Sequence, residues 1–277
     1  MHLALRKYAT IFQIALQERL VYRADFFIGT LMRFMPIVTT IFLWKAVFAE
    51  ARGADASQSQ QIAGFRYDDM VAYYLLVMVS RAFSSMPGLG ESIAREVREG
   101  TLKRYLIQPV NLVGYLFCLR VAHKIVYYGV ALVPFALVFY FCRGYLPSWP
   151  DPPRLAAFLL SLAMAFLVGF FLEAWLGMLS FWFLEISSLL MVVMSLNYFL
   201  SGHMVPLELL PPWLEGVLKL LPFQFMAHFP AVVLLGKVSD AELLPKLALE
   251  LGWVAVLAFL TICSYRRGLR HYSSFGG

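Results

Sequence analysis

Charged residues are scarce in this chain. Asp, Glu, Lys and Arg make up 14% of its 277 residues, while 61% are hydrophobic and the mean hydropathy is +0.71. Soluble domains carry about 25% charged and roughly 45–50% apolar residues. Because a water-soluble fold cannot bury this excess of apolar surface, the composition excludes that class. It predicts a polytopic membrane protein.

Cysteine is nearly absent as well. The three cysteines, Cys118, Cys142 and Cys263, are far apart and lie in or near apolar stretches. They have neither the short spacing of a metal site nor the pattern of a disulfide framework. We therefore predict no metal site, and we expect these side chains to act as small apolar groups.

Motifs for catalysis and nucleotide binding are missing too. The only Gly-Lys pair, Gly236-Lys237, is followed by Val238 and lacks the upstream glycine of a G-x-x-x-x-G-K-[ST] phosphate loop. No H-E-x-x-H or G-x-S-x-G motif occurs. We therefore predict no catalytic residue in this chain, and expect any ATP hydrolysis to take place in a separate subunit.

Basic residues exceed acidic ones, and the formal net charge is +6. The basic residues cluster beside hydrophobic stretches instead of forming one stripe. This distribution favours contact with anionic membrane lipids over binding of nucleic acid. The bias of loop Lys and Arg also predicts that both termini are cytoplasmic.

The apolar pattern predicts an all-α protein with six transmembrane helices, each needing about 20 mostly apolar residues. The six predicted spans are residues 26–48, 70–85, 112–141, 155–183, 186–201 and 247–263. Together with the flanking segments they form one predicted permease domain over residues 1–277.

Three segments outside the spans have their own character. Residues 1–25 contain an amphipathic stretch, with Arg6 and Thr10 on one face and Tyr8 and Ile11 on the opposite one, which predicts a helix in the membrane interface. Residues 202–236 are apolar but rich in proline, which predicts short re-entrant helices on the outer side. Residues 265–277 form a predicted cytoplasmic tail.

Residues 91–109, ESIAREVREGTLKRYLIQP, interrupt the apolar pattern with many charges. Glu91 and Arg95, and likewise Glu99 and Lys103, are four residues apart and are predicted to pair on a helix surface. Ile93 and Val97 share one face, and Gly100-Thr101 is predicted to end the helix. A short amphipathic helix of this kind suits docking into a groove of a soluble partner. On charge pattern alone, a solvated loop is the alternative.

Several polar residues fall within or beside the predicted spans. Asn197, Ser201 and His203 lie towards the outer end of the fifth span, where hydrogen bonding across an interface and contact with substrate are both open. Glu173 lies deep in the fourth span, and a structural bridge to Arg81 or Arg33 is the favoured interpretation. Glu250 begins the sixth span and is expected to face lipid headgroups.

The segment REVREGTLKRYLIQPV at residues 95–110 resembles the cytoplasmic signature of ABC-2-type transporter permeases. FWFLEISSLL at 181–190, the stretch 199–225 and the tail 266–277 are similar to one export-permease subgroup of that family. The resemblance implies a six-helix permease that dimerises with itself or with a related permease. It also implies two partner ATPase subunits that hold ATP and Mg, so that this chain itself binds no cofactor.

The resemblance further implies roles for particular residues. Residues 86–110 would form a cytoplasmic coupling segment, in which the helix around residues 91–99 transmits the motion of the ATPases. The interfacial helix would help to frame their docking site, and the outer re-entrant segment would close the export path. The implied ATPase-coupling residues are Glu91, Arg95, Glu96, Arg98, Glu99, Gly100, Thr101 and Leu102. The implied interfacial-helix residues are Arg6, Lys7 and Tyr8. The implied re-entrant residues are Gly202, Pro206, Pro211, Pro212, Trp213 and Pro222.

The expected function is therefore export of an amphipathic substrate, such as a lipid, a drug-like metabolite or a glycoconjugate, across a bacterial cytoplasmic membrane. An ion-coupled secondary transporter or a membrane scaffold protein is the alternative. A secondary transporter usually shows inverted repeats with broken helices in both halves. Here the breaks occur only near the fifth span.

Overall fold

The structure is a computed structural model that describes residues 2–21, 23–54, 61–108, 110–146, 150–183 and 185–272. Within these ranges the side chains of residues 2–5, 23–26, 31, 33 and 51–54 are left out of the description. The regular structure described is helical, apart from an isolated bridge between Ile62 and Phe65. The predicted all-α class is confirmed.

The described residues form eleven α-helices, joined in places by short 3₁₀ turns. They are α1 His2–Val21, α2 Arg23–Ala54, α3 Tyr67–Ser84, α4 Leu89–Arg98, α5 Lys103–Leu106, α6 Leu112–Phe141, α7 Pro152–Met178, α8 Ser187–Leu200, α9 Pro212–Leu218, α10 His228–Leu234 and α11 Asp240–His271.

Four helical stretches are long and apolar enough to cross a membrane. They are Phe27–Glu50, Leu112–Phe141, Pro152–Phe181 and Asp240–His271, and they match the first, third, fourth and sixth predicted spans. The second predicted span falls on α3, which carries Asp68, Asp69 and Arg81. The fifth falls on α8, whose 14 residues reach only about 21 Å against a hydrocarbon core of about 30 Å. A total of six spans therefore stays a prediction.

The chain divides into two compact units. The first unit comprises Met1–Leu75 and Val110–Ser148, and the second comprises Leu76–Pro109 and Trp149–Gly277. The prediction of a single permease domain over residues 1–277 is not tested by this division.

In the first unit, α1 and α2 both pack against α6. The burial pattern of α1 follows the predicted amphipathic faces, because Ala15 is buried while Arg6, Thr10 and Gln13 are exposed. Phe34 of α2 meets Phe135 of α6 edge to face, with ring centroids 5.0 Å apart. Many apolar side chains of α1, α2 and α6 that lie outside these contacts are exposed, as expected for helices that face lipid.

In the second unit, α7 and α11 run parallel and side by side. Arg154 of α7 pairs with Asp240 of α11 at 2.9 Å near the start of both helices. Thr261 donates to the Phe171 carbonyl at 3.0 Å further along. Near the end of both helices, a methyl group on Gly268 would overlap the Phe181 ring. Helix α7 also contacts α4 and α10, so it forms the core of this unit.

Candidate functional site

Helix α4 is held against α7 by one apolar stripe. Leu89, Ile93 and Val97 are buried at the three-to-four-residue spacing of a single helix face. Gly90 lies opposite Gly177 of α7, where a Cβ atom on Gly177 would come within 3.0 Å of the Gly90 Cα atom. The two helix backbones therefore touch, and α4 has a fixed place on the core helix of the second unit.

The opposite face of α4 is charged and exposed. Glu91, Arg95, Arg98 and Glu99 point away from α7, which confirms the predicted amphipathic helix. The predicted pairs Glu91–Arg95 and Glu99–Lys103 are wrong, since neither occurs among the ion pairs of the described residues. Helix α4 ends at Arg98, so Glu99 and Lys103 lie on different elements. Glu91, Arg95 and Glu99 are therefore accessible to another molecule.

The Gly-Thr-Leu sequence forms the turn after α4. Gly100 has φ +69°, the left-handed conformation that glycine adopts without strain. Its N–H donates to the Val97 carbonyl at 3.3 Å, and the Leu102 N–H donates to the Glu96 carbonyl at 3.2 Å. The Leu102 side chain is fully buried. The Thr101 hydroxyl donates to the Glu96 carbonyl at 3.4 Å. Each position thus has a local structural reason, and the predicted helix break at Gly100 is confirmed.

Glu96 ties the turn to the following helix. Its Oε1 accepts hydrogen bonds from Arg104 Nη2 at 2.7 Å and from the Tyr105 hydroxyl at 3.0 Å. The hydrogen bond to Glu96 raises the pKa of the Arg104 guanidinium. The family resemblance implies an ATPase-coupling role for Glu96, which stays a prediction, and the structure gives its carboxylate an internal partner eight residues on.

The last turn of α4 is linked to the connection between α7 and α8. Arg98 Nη1 donates to Glu185 Oε2 at 2.9 Å. Hydrogen bonds from the Ser187 hydroxyl and N–H, together with the Arg98 charge, lower the pKa of Glu185. No local pattern indicates this pair, because its members are 87 residues apart.

A cleft borders each end of α4. The cleft at its last turn has a volume of about 430 Å³ and is lined by Val97, Arg98, Ser180, Phe181, Trp182, Phe183, Glu185 and Tyr272. The cleft at its first turn has a volume of about 520 Å³ and is lined by Pro87, Gly88, Gly90, Glu91, Glu173, Ser187, Ser188, Leu190, Met191, Met194 and Ser195. The second of these combines thioether, aliphatic, hydroxyl and carboxyl groups. Such a lining suits a molecule with both polar and apolar parts.

Glu173 is buried beside this first-turn cleft. Its Oε1 accepts a hydrogen bond from the Met86 backbone N–H at 3.3 Å, which joins α7 to the connection before α4. The side chain of Arg33, one of its two predicted partners, lies outside the described residues.

The predicted interfacial residues Arg6, Lys7 and Tyr8 belong to the first unit, whereas α4 belongs to the second. Arg6 is exposed, and Lys7 and Tyr8 are half-buried. The Tyr8 hydroxyl accepts the Asn111 N–H at 3.3 Å, and Asn111 in turn caps α6. Tyr8 therefore fastens α1 to the start of α6, and docking of a partner at these residues stays a prediction.

Asn197, Ser201 and His203 gather at the end of α8. Asn197 is 2% exposed and Ser201 is fully buried. Asn197 Oδ1, Ser201 Oγ and His203 Nδ1 are buried without a hydrogen-bond partner in the described part of the chain. Burial, reinforced by the Arg81 charge, lowers the pKa of His203 to about 4, so this imidazole is neutral at pH 7. The structure thus leaves both predicted roles of Asn197 open.

The predicted re-entrant segment consists of 3₁₀ turns and the short helices α9 and α10. Gly202 adopts φ +76° directly after α8, and Trp213 is 71% exposed. Pro206 and Pro222 are buried, and Pro211 and Pro212 are exposed. The short helices match the prediction, while their entry into a membrane from the outer side stays a prediction.

A contact between a histidine and a carboxylate inside this segment was not predicted from the sequence. His228 Nε2 lies 3.3 Å from Glu208 Oε1, with the histidine almost fully buried. Although burial opposes it, the hydrogen bond and charge of His228 lower the pKa of Glu208 to about 2. Glu208 and His228 are twenty positions apart in a proline-rich segment, so no helical or strand periodicity indicated their contact.

The grouping of potential metal ligands in the structure is a further feature of the site. Among the described residues, no group of three or more His, Cys, Asp or Glu could hold a metal ion.

A known protein family matches most of the chain. A family model described as "ABC-2 family transporter protein" matches residues 34–276. The chain belongs to the ABC-2 transporter family. No curated protein matches it as a relative.

Membership gives this ABC-2 permease its general role. The family supplies the membrane subunit of ABC transporters, and it implies association with an ATP-binding subunit. Proteins of this family are typically not themselves the ATPase, which agrees with the missing phosphate loop. The family match and the four long apolar helices together identify an integral membrane protein.

Proposed function

We propose that this permease exports an amphipathic substrate, and that α4 receives the motion of its ATPase partner. Two ATPase subunits would hold ATP and Mg, and a second permease, identical or related, would complete the transporter. In this proposal the chain crosses a bacterial cytoplasmic membrane six times with both termini in the cytoplasm. The substrate would be a lipid, a drug-like metabolite or a glycoconjugate.

The observation that carries the proposal is the two-sided construction of α4. Its apolar stripe, with Ile93 and Val97 buried, is packed on α7, so a push on α4 bears directly on the core helix of the unit. Its exposed stripe presents charges of both signs, and Glu91, Arg95 and Glu99 are in no ion pair with a described residue. A surface of this kind favours a soluble partner with complementary charges, because such complementarity sets orientation and partner choice.

The proposed substrate class is supported by the first-turn cleft. Methionine side chains such as Met191 and Met194 adapt their shape to different apolar groups. Hydroxyl groups of Ser187 and Ser188 offer hydrogen bonds on another part of the lining. A cleft of about 520 Å³ is within the range of small-molecule sites, roughly 300–1,000 Å³.

The test is co-purification of the chain with the products of its genomic neighbours, followed by an ATPase assay in lipid nanodiscs. Glu99→Lys reverses an exposed charge at the C-cap of α4, and Asp151→Lys reverses an exposed charge before α7 that is in no ion pair with a described residue. We expect Asp151→Lys to keep the complex and its ATPase activity, and Glu99→Lys to lose most of both.

Two outcomes would contradict the proposal. If Glu99→Lys matched Asp151→Lys in complex recovery and ATPase activity, α4 would not be the coupling element. If the wild-type chain were isolated without any ATPase although its neighbours were expressed, an ion-coupled transporter or a membrane scaffold would be favoured instead.

A further inference from the structure

Glu250 is a carboxylic acid in the interior of a predicted membrane span. The prediction that Glu250 begins the sixth span and faces lipid headgroups is wrong. Helix α11 begins at Asp240, so Glu250 lies ten residues, or about 15 Å, along the helix axis. Its side chain is 0% exposed, and neither carboxyl oxygen has a hydrogen-bond partner in the described part of the chain.

A serine faces this acid from the neighbouring helix. Ser161 of α7 lies beside the Glu250 carboxyl group and is also fully buried, and its hydroxyl has no hydrogen-bond partner in the described part of the chain. The pairing fits the helix register, because both residues lie between the Arg154–Asp240 ion pair and the Thr261–Phe171 hydrogen bond. Among the described residues, Glu250 takes part in no ion pair.

An ionised carboxylate is poorly suited to this position. Removing an unpaired charge from water costs far more than holding the same group in neutral form. A metal ion does not fit either, because Ca²⁺ and Mg²⁺ need about six oxygen ligands, and Glu250 belongs to no potential metal group among the described residues. Neither cleft beside α4 includes Glu250. The bound species that requires neither space nor several ligands is a proton.

We propose that Glu250 and Ser161 form a buried proton-binding site between α7 and α11. The proton resides on the Glu250 carboxyl group while the two helices are packed, and the Ser161 hydroxyl is the group that hydrogen-bonds the neutral acid. Release of the proton requires water or a cation to reach the carboxylate, and therefore requires α7 and α11 to separate. The packing of these helices is thus linked to the occupancy of the site.

Infrared difference spectroscopy tests the site without any need for the acid to be accessible. Wild type and Glu250→Gln are compared at neutral pH as purified chains in lipid nanodiscs. We expect the wild type to show one carbonyl band of a protonated carboxylic acid that is lost in Glu250→Gln. Glu242→Gln is the matched control, because Glu242 is exposed and pairs with Lys246, and it should leave that band unchanged. A wild type without the band would overturn the proposal.

A second variant asks whether Ser161 belongs to the site. Ser161→Ala should shift the frequency of the Glu250 band, whereas Ser180→Ala should not, because the buried Ser180 hydroxyl already donates to the Gly177 carbonyl at 2.7 Å. A band that stays in place in Ser161→Ala would remove Ser161 from the proposal. Glu250→Gln should also retain the thermal stability of the wild type, since one neutral group replaces another. Failure of this variant to fold would contradict the proposal.

These measurements use the isolated permease and require no ATPase or substrate. Their outcome is therefore independent of the proposed export function.

Discussion

The contact between α4 and α7 allows a sharp prediction for Gly177→Ala. The added Cβ atom would lie 3.0 Å from the Gly90 Cα atom, 3.0 Å from the Ile93 Cβ atom and 3.1 Å from the Gly90 carbonyl oxygen. Carbon atoms prefer separations of about 3.5–4.0 Å. Because two of these neighbours are backbone atoms of α4, no side-chain rotation relieves the crowding. Helix α4 must instead move outwards by a few tenths of an ångström.

We expect this overpacking to cost about 1–3 kcal/mol. Gly252→Ala is the matched control, since a Cβ atom there meets no heavy atom within 4 Å and the residue also lies in a long apolar helix. The control should be neutral or stabilising by up to about 1 kcal/mol, because alanine is the better helix former. Thermal unfolding in nanodiscs measures both changes, and recovery of the ATPase complex reports whether the shifted α4 still binds. Equal stability of the two variants would refute the close backbone packing of α4 on α7.

Three further predictions concern other contacts. Glu208→Gln should lower thermal stability at neutral pH by about 1–3 kcal/mol. The pKa of Glu208 is about 2 in the fold against an ordinary 4.5. Its pairing with His228 therefore stabilises the folded state above pH 4.5. The difference between variant and wild type should disappear as the pH falls towards 2 in a pH series of melting curves, and a constant difference would argue against the pair. Tyr8→Phe removes the acceptor of the Asn111 N–H and should cost about 0.5–1.5 kcal/mol in chemical denaturation; no change would show that this contact adds nothing. Leu102→Ala leaves a cavity at a fully buried position and should lower the free energy of unfolding by about 2–5 kcal/mol. Proteolysis after α4 should then be faster than in the wild type. If the variant resists the protease as well as the wild type does, Leu102 is not buried as described.

Local patterns in the sequence were sufficient to predict α4. The spacing of Ile93 and Val97 placed both on one face, and burial of that face follows. Gly100 ended the helix as predicted, since only glycine adopts its left-handed conformation without strain. These features depend on residues within one or two turns of each other.

Contacts between distant segments could not be predicted in the same way. Arg98 and Glu185 are 87 residues apart, and their pairing depends on how the connection after α7 folds back to α4. Glu96 likewise pairs with Arg104 and not with basic residues nearer in the sequence, because the turn at Gly100 reverses the chain.

The position of Glu250 shows how a helix start can mislead. The apolar run begins at residue 247, so the sequence suggested that the helix and the membrane boundary coincide there. Helix α11 in fact begins seven residues earlier at Asp240 and continues through Pro245. Glu250 is therefore displaced from a helix end to the interior of the α7–α11 contact.

The central claim is that the exposed face of α4 contacts the ATP-binding subunit. Site-specific photo-crosslinking in native membranes tests it most directly, with a photoreactive amino acid at Arg95, which is exposed on α4, or at Trp213, which is 71% exposed on α9. Our account predicts a crosslink to the ATP-binding subunit from position 95 and none from position 213. A complex that forms without a crosslink from position 95, or one that crosslinks from position 213, would contradict it.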